Sequence, residues 1–298
     1  MEKLKKCPIC NNEQFSDYLK CYDYFLTQEE FNIVTCNNCR FTFVNPRPEA
    51  DNLSKYYNST EYVSHSATKN KGLFNYVYRK IRNYTHKKKV NLVSYYSKGK
   101  SILDIGCASG EFLNLFKLKG WKTKGIEPNS NARNFAKKEY NLDVIDENDI
   151  NDVSNESIDV ITMWHVLEHV SDLNQRMLDL KRILKKDGYL IIAVPNCTSY
   201  DAEYYRNFWA AYDVPRHLYH FTPETMQTLV EKYKFSIVNK LPMKFDSYYV
   251  SMLSEKYKSG KLNILKAIYI GLKSNLKAHK SLNNYSSLIY VIKIIEKN

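Results

Sequence analysis

Residues 101–112, SILDIGCASGEF, decide the fold, because an apolar strand runs through an acidic, glycine-bearing turn into a helix. Ile102, Leu103 and Ile105 supply the strand, and apolar residues at helical spacing follow Gly110. Glycine lets the backbone come close to a ligand, and the start of a helix presents free N–H groups to it. The segment therefore predicts a nucleotide-binding turn.

The acid and the small residues of this turn alternate, as Asp104, Gly106, Ala108 and Gly110, and they do not form the G-x-G-x-x-G fingerprint of NAD-binding proteins. The pattern resembles motif I of the class I S-adenosylmethionine (SAM) dependent methyltransferases, with Ala108 in place of the usual middle glycine. The resemblance implies that these residues and Cys107 contact SAM. The cationic sulfonium of SAM also suits a carboxylate beside the turn.

The next predicted strand lies in residues 121–129, WKTKGIEPN, and ends at Glu127, after which Pro128 begins a helix. A carboxylate at the tip of the second strand can accept hydrogen bonds from both ribose hydroxyls of a nucleotide. The family resemblance makes Glu127 the ribose ligand and puts Pro128 beside it. The alternative is a solvated surface glutamate.

Two further strands are predicted, at residues 142–145 and in the continuous apolar run of residues 158–163, IDVITM. Between them, the resemblance assigns the adenine ring to a loop that holds Asp146 and Asp149. The choice between these acids stays open, and Asp149 is taken as the cofactor contact.

Residues 164–170, WHVLEHV, closely match the fourth motif of the same family, which places Trp164 and His165 beside the cofactor. Taken alone, His165, Glu168 and His169 spell H-x-x-E-H, an inverted zinc-protease signature. The protease carries that signature inside a long helix, whereas here it follows a buried strand. We therefore favour the nucleotide edge of a sheet, where Glu168 and His169 can also simply orient the next helix.

Helices and strands alternate along the rest of the chain. The predicted helix spans residues 173–184, and the predicted strands span residues 189–194, 235–240 and 286–295. This alternation predicts an α/β fold, with a Rossmann-like, seven-stranded, mostly parallel sheet and helices on both faces. Ligands of such sheets bind at the carboxyl ends of the strands, where the predicted cofactor residues fall.

An aromatic and basic segment at residues 200–222 contains DVPRHLYHFT, and we interpret it as the side that binds the methyl acceptor. It resembles sugar C-methyltransferases with an N-terminal zinc module, in which a histidine before a similar leucine and aromatic pair is the proposed base. That makes His217 the first candidate for proton removal and His165 the second. A buried His217 bonded to backbone is the alternative.

A guanidinium in this segment could hold a phosphate or carboxylate. The expected substrate contacts are Arg216, His220 and Tyr212.

Two C-x-x-C pairs, Cys7 with Cys10 and Cys36 with Cys39, resemble a zinc ribbon. Each pair places two thiolates on one tight turn, and two such turns complete a tetrahedral site of four sulfurs. Since the protein fills all four positions, the zinc is expected to be structural. A redox pair or disulfides are the alternatives.

We divide the chain into a zinc-ribbon module at residues 1–45, a helical connector or lid at 46–98, and a methyltransferase domain at 99–298. Acceptor-side insertions are expected at about residues 197–222 and 246–284. The resemblance also indicates lid residues in the connector. These are Tyr56, Tyr57, Tyr62 and His65.

The formal net charge of +12 is concentrated in two lysine-rich parts of the chain, residues 69–100 and 251–298, which predicts an anionic partner. Residues 248–280 mix lysines with large apolar residues, so an amphipathic helix there could rest on a membrane surface or cover the active site.

No stretch of the sequence has the roughly 18 uncharged apolar residues of a membrane span. No apolar leader follows the charged first residues, so a cytoplasmic location is expected.

Together these features predict an enzyme that moves a methyl group from SAM to an oxygen or carbon of a small acceptor. The charge favours an anionic acceptor, such as a nucleotide sugar or lipid-linked glycan of a surface-polysaccharide or secondary-metabolite pathway. The first alternative is an rRNA or tRNA methyltransferase that binds RNA through the zinc ribbon and basic surface. Against it, the N-P-P-[FY] type motif of base amino methylation is missing. The second alternative is a cofactor-binding protein without catalysis.

Overall fold

The computed structural model describes residues 1–57, 73–280 and 284–295. Tyr62 and His65, two of the predicted lid residues, lie outside the described residues. The chain divides into two compact units, each built from several chain segments. The N-terminal unit holds the described parts of residues 1–58, 165–177 and 192–291. The central unit holds those of residues 59–164, 178–191 and 292–298.

The strands of the described residues form two sheets. They are β1 (Phe15–Tyr22), β2 (Glu30–Cys36), β3 (Thr42–Val44), β4 (Ser101–Ile105), β5 (Lys122–Ile126), β6 (Asp143–Ile145), β7 (Ile158–Trp164), β8 (Leu184–Pro195), β9 (Tyr219–His220), β10 (Phe235–Pro242) and β11 (Ser287–Ile294). The larger sheet has seven strands in the order β10-β11-β8-β7-β4-β5-β6. The smaller sheet has the order β1-β2-β3-β9, and its three pairings are antiparallel.

One or two α-helices separate most consecutive strands of the larger sheet along the described chain. The α-helices are α1 (Leu73–Tyr96), α2 (Glu111–Lys117), α3 (Ser130–Tyr140), α4 (Leu173–Ile183), α5 (Tyr200–Tyr205), α6 (Pro223–Lys232), α7 (Asp246–Ser259) and α8 (Ile264–His279). Short 3-10 helices occupy Ala50–Tyr56, Glu147–Asp152, Leu167–His169, Arg206–Phe208 and Ala210–Tyr212. Among the described residues, every helix is too short or too polar to span a bilayer.

The larger sheet confirms the predicted α/β, Rossmann-like fold. Strand β4 pairs in parallel with β5 and β7, and β5 pairs in parallel with β6. All five residues of β4 are buried, as expected of a central strand covered by helices on both faces. The sequence places the start of the fifth strand at residue 189, but β8 begins at Leu184. Gly188 lies inside this strand, and a Cβ atom there would come within 2.9 Å of the carbonyl oxygen of Asp159.

The acceptor segment, residues 197–222, folds into the N-terminal unit around a buried carboxylate. Asp201 in α5 accepts hydrogen bonds from Trp209 Nε1 at 2.8 Å, Ser274 Oγ at 2.7 Å and Ser286 Oγ at 2.6 Å. These donors come from the segment itself, from α8 and from the start of the last strand region. One charged group therefore joins three distant parts of the chain.

Candidate functional site

The turn after β4 in the central unit has left-handed backbone at Gly106 (φ 72°), Ala108 (φ 47°) and Gly110 (φ 78°). The N–H groups of Gly106 and Cys107 both donate to the carbonyl of Ile126 at the end of β5, at 2.7 and 3.1 Å. These bonds fix the turn against the neighbouring strand. Gly110 then caps the start of α2.

Glu127 contacts the same turn, as expected of a residue one strand away. Its Oε2 accepts the N–H of Ala108 and its Oε1 accepts the N–H of Asn129, both at 2.9 Å. The residue is only 9% exposed, and burial raises the pKa of Glu127 although the two backbone N–H groups lower it in part. Each carboxylate oxygen keeps a further lone pair, so the group can still accept two hydroxyl hydrogen bonds.

Asp104 and Cys107 lie beneath this turn. Asp104 is 3% exposed, and its Oδ1 accepts a hydrogen bond from Thr162 Oγ1 at 2.5 Å. Burial raises the pKa of Asp104 to about 7, with the Thr162 bond acting in the opposite direction. Cys107 is also buried, and its Sγ would lie 2.6 Å from a Cβ atom at Gly125. Gly125 is therefore required where β5 passes the turn.

The remaining predicted cofactor residues of the central unit differ in exposure. Trp164 ends β7, and its ring meets Phe112 edge-on at 5.7 Å, while Lys89 Nζ lies 4.2 Å from its centre. Its Nε1 is buried and has no hydrogen-bond partner among the described residues, which leaves a donor for a ligand. Pro128 and Asp149 are exposed, the latter in the 3-10 helix Glu147–Asp152.

The four predicted zinc ligands come together in the N-terminal unit. The sulfurs of Cys7, Cys10, Cys36 and Cys39 all lie within 4.8 Å of one another, and the 7–39 and 10–36 pairs are 3.5 Å apart. A tetrahedral zinc with Zn–S bonds of about 2.3 Å separates its sulfurs by about 3.8 Å. The donor set and its spacing therefore fit zinc.

His165, in the N-terminal unit, lies between two carboxylates. Its Nδ1 is 3.4 Å from Glu168 Oε1, and its Nε2 is 3.0 Å from Asp246 Oδ2. Burial alone would lower the pKa of His165, but the two carboxylates raise it to about 9. Asp246 is the first residue of α7, about 80 residues after His165, and no sequence motif predicts that the two residues are in contact. Neither ring nitrogen of His165 is left free to take a proton.

His217 has one ring nitrogen available. Its Nδ1 lies 2.8 Å from the carbonyl oxygen of Ala211, which can only accept, so Nδ1 carries the hydrogen and Nε2 keeps its lone pair. Its ring meets that of His169 edge-on, with the centres 4.5 Å apart. The backbone bond matches the alternative that the sequence left open, although Nε2 is not used by it.

Arg216, His220 and Tyr212 are all buried in the same unit. The Arg216 guanidinium donates to the Asp213 carboxylate at 3.0 and 2.6 Å, to Asp23 at 2.8 Å and to the Tyr56 carbonyl at 3.1 Å. These protein acceptors occupy it, so this geometry lends no support to the predicted substrate contact. His220 and Tyr212 meet edge-on at 5.1 Å, and burial lowers the pKa of His220 to about 3.

The first strand of the parallel sheet ends in a turn that contains an acid and glycines, and a glutamate at the end of the next strand is hydrogen-bonded to this turn. This combination defines a nucleotide-binding α/β enzyme. The sequence model of the family described as "Methyltransferase domain" matches residues 76–240, which is more than half of the 298-residue chain. The chain belongs to this family and is a SAM-dependent methyltransferase.

Solved structures are similar to this chain at low sequence identity. The magnesium protoporphyrin IX methyltransferase of Synechocystis, solved with SAH, is 12% identical; the match covers 83% of this chain and 100% of that one, with a TM-score of 0.54. A SAM-dependent methyltransferase from Archaeoglobus fulgidus is 20% identical, with coverage of 74% and 100% and a TM-score of 0.46. No curated protein sequence matches this chain.

We expect Gly110→Ala to destabilise the protein more than Gly120→Ala, because both glycines are left-handed but only Gly110 is enclosed. A Cβ atom at Gly110 would lie 2.6 Å from Leu142 Cδ1 and 2.9 Å from Ala136 Cβ, whereas Gly120 faces open space. Gly120→Ala costs about 1 kcal/mol of backbone strain, and Gly110→Ala adds about 1–3 kcal/mol of overpacking. Urea unfolding of both variants measures the difference, and equal losses would contradict the enclosure of Gly110.

Proposed function

We propose that this methyltransferase acts on an oxygen or carbon of a small, anionic, sugar-type acceptor, such as a nucleotide sugar or a lipid-linked glycan. The observation that carries this is the cluster of buried Glu168 with partly exposed His169 and His217, the last of which belongs to the acceptor segment. A hydroxyl or a carbon acid must lose a proton as the methyl group arrives, whereas an amine already offers its lone pair. A histidine and carboxylate cluster serves the first kind of acceptor.

Of the two histidines predicted to act on the acceptor, we infer that His217 is the one that does. Its Nε2 retains a lone pair, while both nitrogens of His165 face carboxylate oxygens. His220 and Tyr212 stay proposed as acceptor contacts. Arg216 is proposed to act indirectly, by fixing Asp213 and hence the loop that carries His217.

For the cofactor, we propose that Glu127 holds the ribose hydroxyls of SAM and that the turn holds its methionine part. The carboxylate of Glu127 is buried and bonded to the turn, which supports a preformed ligand group. Trp164 is proposed as a further contact because its Nε1 is buried without a partner among the described residues. The remaining proposed contacts are Asp104, Gly106, Cys107, Ala108, Gly110, Pro128, Asp149 and His165.

We also propose a structural zinc at the four cysteines, in a module of residues 1–45 that supports the acceptor segment. Strand β9 of that segment pairs with β3 of the module, which supports this role. Residues 1–45 contain five lysines and arginines against six aspartates and glutamates. The module therefore lacks the net positive charge with which proteins bind the phosphates of RNA. The connector at 46–98 and the methyltransferase domain at 99–298 complete the proposed division.

A membrane surface is proposed as a second partner, since the acceptor class includes lipid-linked glycans. Helix α8 buries small residues, among them Ala267, Gly271 and Ser274, and turns large apolar side chains to solvent. The exposed residues are Ile264, Leu265, Ile268, Tyr269, Leu272 and Leu276. Three lysines of this helix, at 266, 273 and 277, and a fourth just beyond it at 280 suit anionic headgroups.

Glu127→Ala should weaken SAM binding about tenfold or more, because the loss of two hydroxyl hydrogen bonds to a charged acceptor exceeds about 1.4 kcal/mol. Isothermal titration calorimetry measures the affinity. Glu139→Ala is the matched control, since Glu139 is an exposed carboxylate on α3 of the same unit. Unchanged affinity in Glu127→Ala would reject the ribose assignment.

Cobalt(II) should replace the structural zinc and give the strong charge-transfer absorption of a thiolate site. Cys39→Ser is expected to weaken that band and lower the melting temperature, because a structural metal contributes its binding free energy to folding. Cys21→Ala is the control, as Cys21 is buried in the same unit but outside the cluster. Equal bands in both variants would refute the site of four sulfurs.

The acceptor is tested with labelled SAM and separate panels of nucleotide sugars, lipid-linked glycans in anionic vesicles, and ribosomal RNA. We expect label in one of the two sugar panels and none in RNA, with Glu127→Ala as the background control. Label in RNA alone would replace the proposal by its first alternative, and label in no panel by the second.

The vesicle panel also reports membrane contact through cosedimentation. Replacing Leu265 and Leu276 by serine should reduce it severalfold, whereas Leu118→Ser, which changes a comparably exposed leucine of the central unit, should leave it unchanged. Equal cosedimentation of all three proteins would remove the membrane from the proposal.

A further inference from the structure

We propose that Glu168, His169 and His217 form a second metal site, which holds a divalent transition-metal ion such as Zn²⁺. A carboxylate oxygen of Glu168 and one ring nitrogen of each histidine all lie within 4.8 Å of one another. Three ligand atoms at this spacing can surround one ion at bonds of about 2.0–2.2 Å after small side-chain adjustments. The site is separate from the four cysteines and uses none of their residues.

The two histidines are held as metal ligands usually are. His217 Nδ1 lies 2.8 Å from the Ala211 carbonyl oxygen, and His169 Nδ1 lies 3.0 Å from the Arg216 carbonyl oxygen. Because a carbonyl only accepts, each Nδ1 carries a hydrogen and each Nε2 keeps a lone pair. A ring nitrogen that donates to a backbone carbonyl fixes the tautomer and orientation of a ligating imidazole.

Glu168 supplies an independent sign of a further ligand, because its contact with His165 involves only one of its two oxygens. Its side chain is 0% exposed, and neither carboxylate oxygen has a hydrogen-bond partner among the described residues. His165 Nδ1 comes to 3.4 Å from Oε1, as an ion-pair contact without hydrogen-bond geometry. Buried carboxylates are normally paired or bind metals, since an unpaired charge is costly in a protein interior. A metal ion would satisfy Oε2, the oxygen for which no contact with His165 is seen.

The backbone around the three residues makes the site rigid. Glu168 and His169 belong to the 3-10 helix Leu167–His169, and the Glu168 carbonyl accepts the N–H of Leu218 at 2.8 Å. That bond joins the short helix to the loop that carries His217. Arg216 anchors the same loop through Asp213. Rigid ligand positions are what a selective metal site requires.

The ligand types decide which ions fit. Two imidazoles and one carboxylate suit Zn²⁺, Fe²⁺, Co²⁺ and Ni²⁺, whereas Mg²⁺ and Ca²⁺ prefer oxygen ligands only. Three protein ligands leave at least one coordination position open, as in catalytic zinc sites, while the four cysteines close theirs. The open position takes an oxygen donor.

The identity of that donor rests on the proposed function, in which it is the acceptor hydroxyl. A bound ion would supply Lewis acidity that makes the hydroxyl more acidic, so that its proton could pass to solvent water. The acceptor oxygen would form a bond to the methyl carbon as the carbon–sulfur bond of SAM breaks, with the electron pair left on sulfur. A coordinated Nε2 cannot also accept a proton, so with the ion bound His217 would act on the acceptor as a metal ligand, and this replaces the role of base that the sequence and the proposed function give it.

The test measures metal on the full chain without any acceptor. The protein is stripped with a chelator, reloaded with excess Zn²⁺, desalted and analysed for zinc. We expect about two zinc ions per chain for the unaltered protein and about one for Glu168→Gln and for His217→Ala. His279→Ala, which removes an exposed histidine on α8, is the matched control and should keep two.

Zinc K-edge X-ray absorption of the reloaded protein covers the case in which a variant fails to fold. Two sites predict a mixed shell of sulfur and of nitrogen or oxygen, whereas the cysteine site alone predicts sulfur only. One zinc per chain with a pure sulfur shell, or two in both cluster variants, would overturn the proposal. None of these outcomes depends on the acceptor, so a failed acceptor assay and a failed metal site are told apart.

Discussion

The buried guanidinium of Arg216 is the interaction on which the N-terminal unit depends. It is 1% exposed, and it bonds the carboxylates of Asp213 and Asp23 and the carbonyl of Tyr56. Burial alone would raise the pKa of Asp213, but the charge of Arg216 lowers it, so the pair stays ionised. A charge this deep persists only where opposite charges and hydrogen bonds replace water. The cysteine module, the start of the connector and the acceptor loop are therefore joined at one point.

The burial and the length of a strand explain whether the sequence predicts it. Strands such as β4 and β7 are mostly apolar, as a strand buried on both faces must be, so their order was predictable. Strand β9 has two residues and pairs with β3, about 175 residues earlier in the chain. No local pattern marks so short a pairing. The small sheet therefore needed the structure.

The contacts of individual site residues also divide into those that the sequence predicts and those that it does not. The adjacency of Glu127 and the glycine turn was predictable, because the ends of neighbouring parallel strands meet at one edge of a sheet. The partners of Arg216 and His165 were not, since Asp23 and Asp246 carry no motif and reach them only through tertiary packing. The fork of an arginine indicates an anion, but the sequence does not say whether that anion belongs to a substrate or to the protein.

Helix α8 inverts the usual amphipathic arrangement, and its packing explains how. Gly271 lies so close to α7 that a Cβ atom would come within 2.8–3.0 Å of Tyr248. Close approach of two helices needs small residues at the contact, which moves the large apolar side chains to the opposite face. Such a face on a soluble surface is unfavourable unless something covers it. The lysines at its border favour an anionic surface over a purely apolar one.

The conformation of residues 165–169 decides between the two meanings of H-x-x-E-H. In a zinc protease, an α-helix places histidines four residues apart on one face, where both ligate the metal. Here His165 has a left-handed backbone (φ 57°), and a 3-10 helix begins only at Leu167. His165 consequently faces Asp246, while His169 faces His217 of the acceptor loop. The partner that completes the cluster comes from tertiary structure and not from the motif, which is why the signature indicates neither a protease nor, by itself, a metal site.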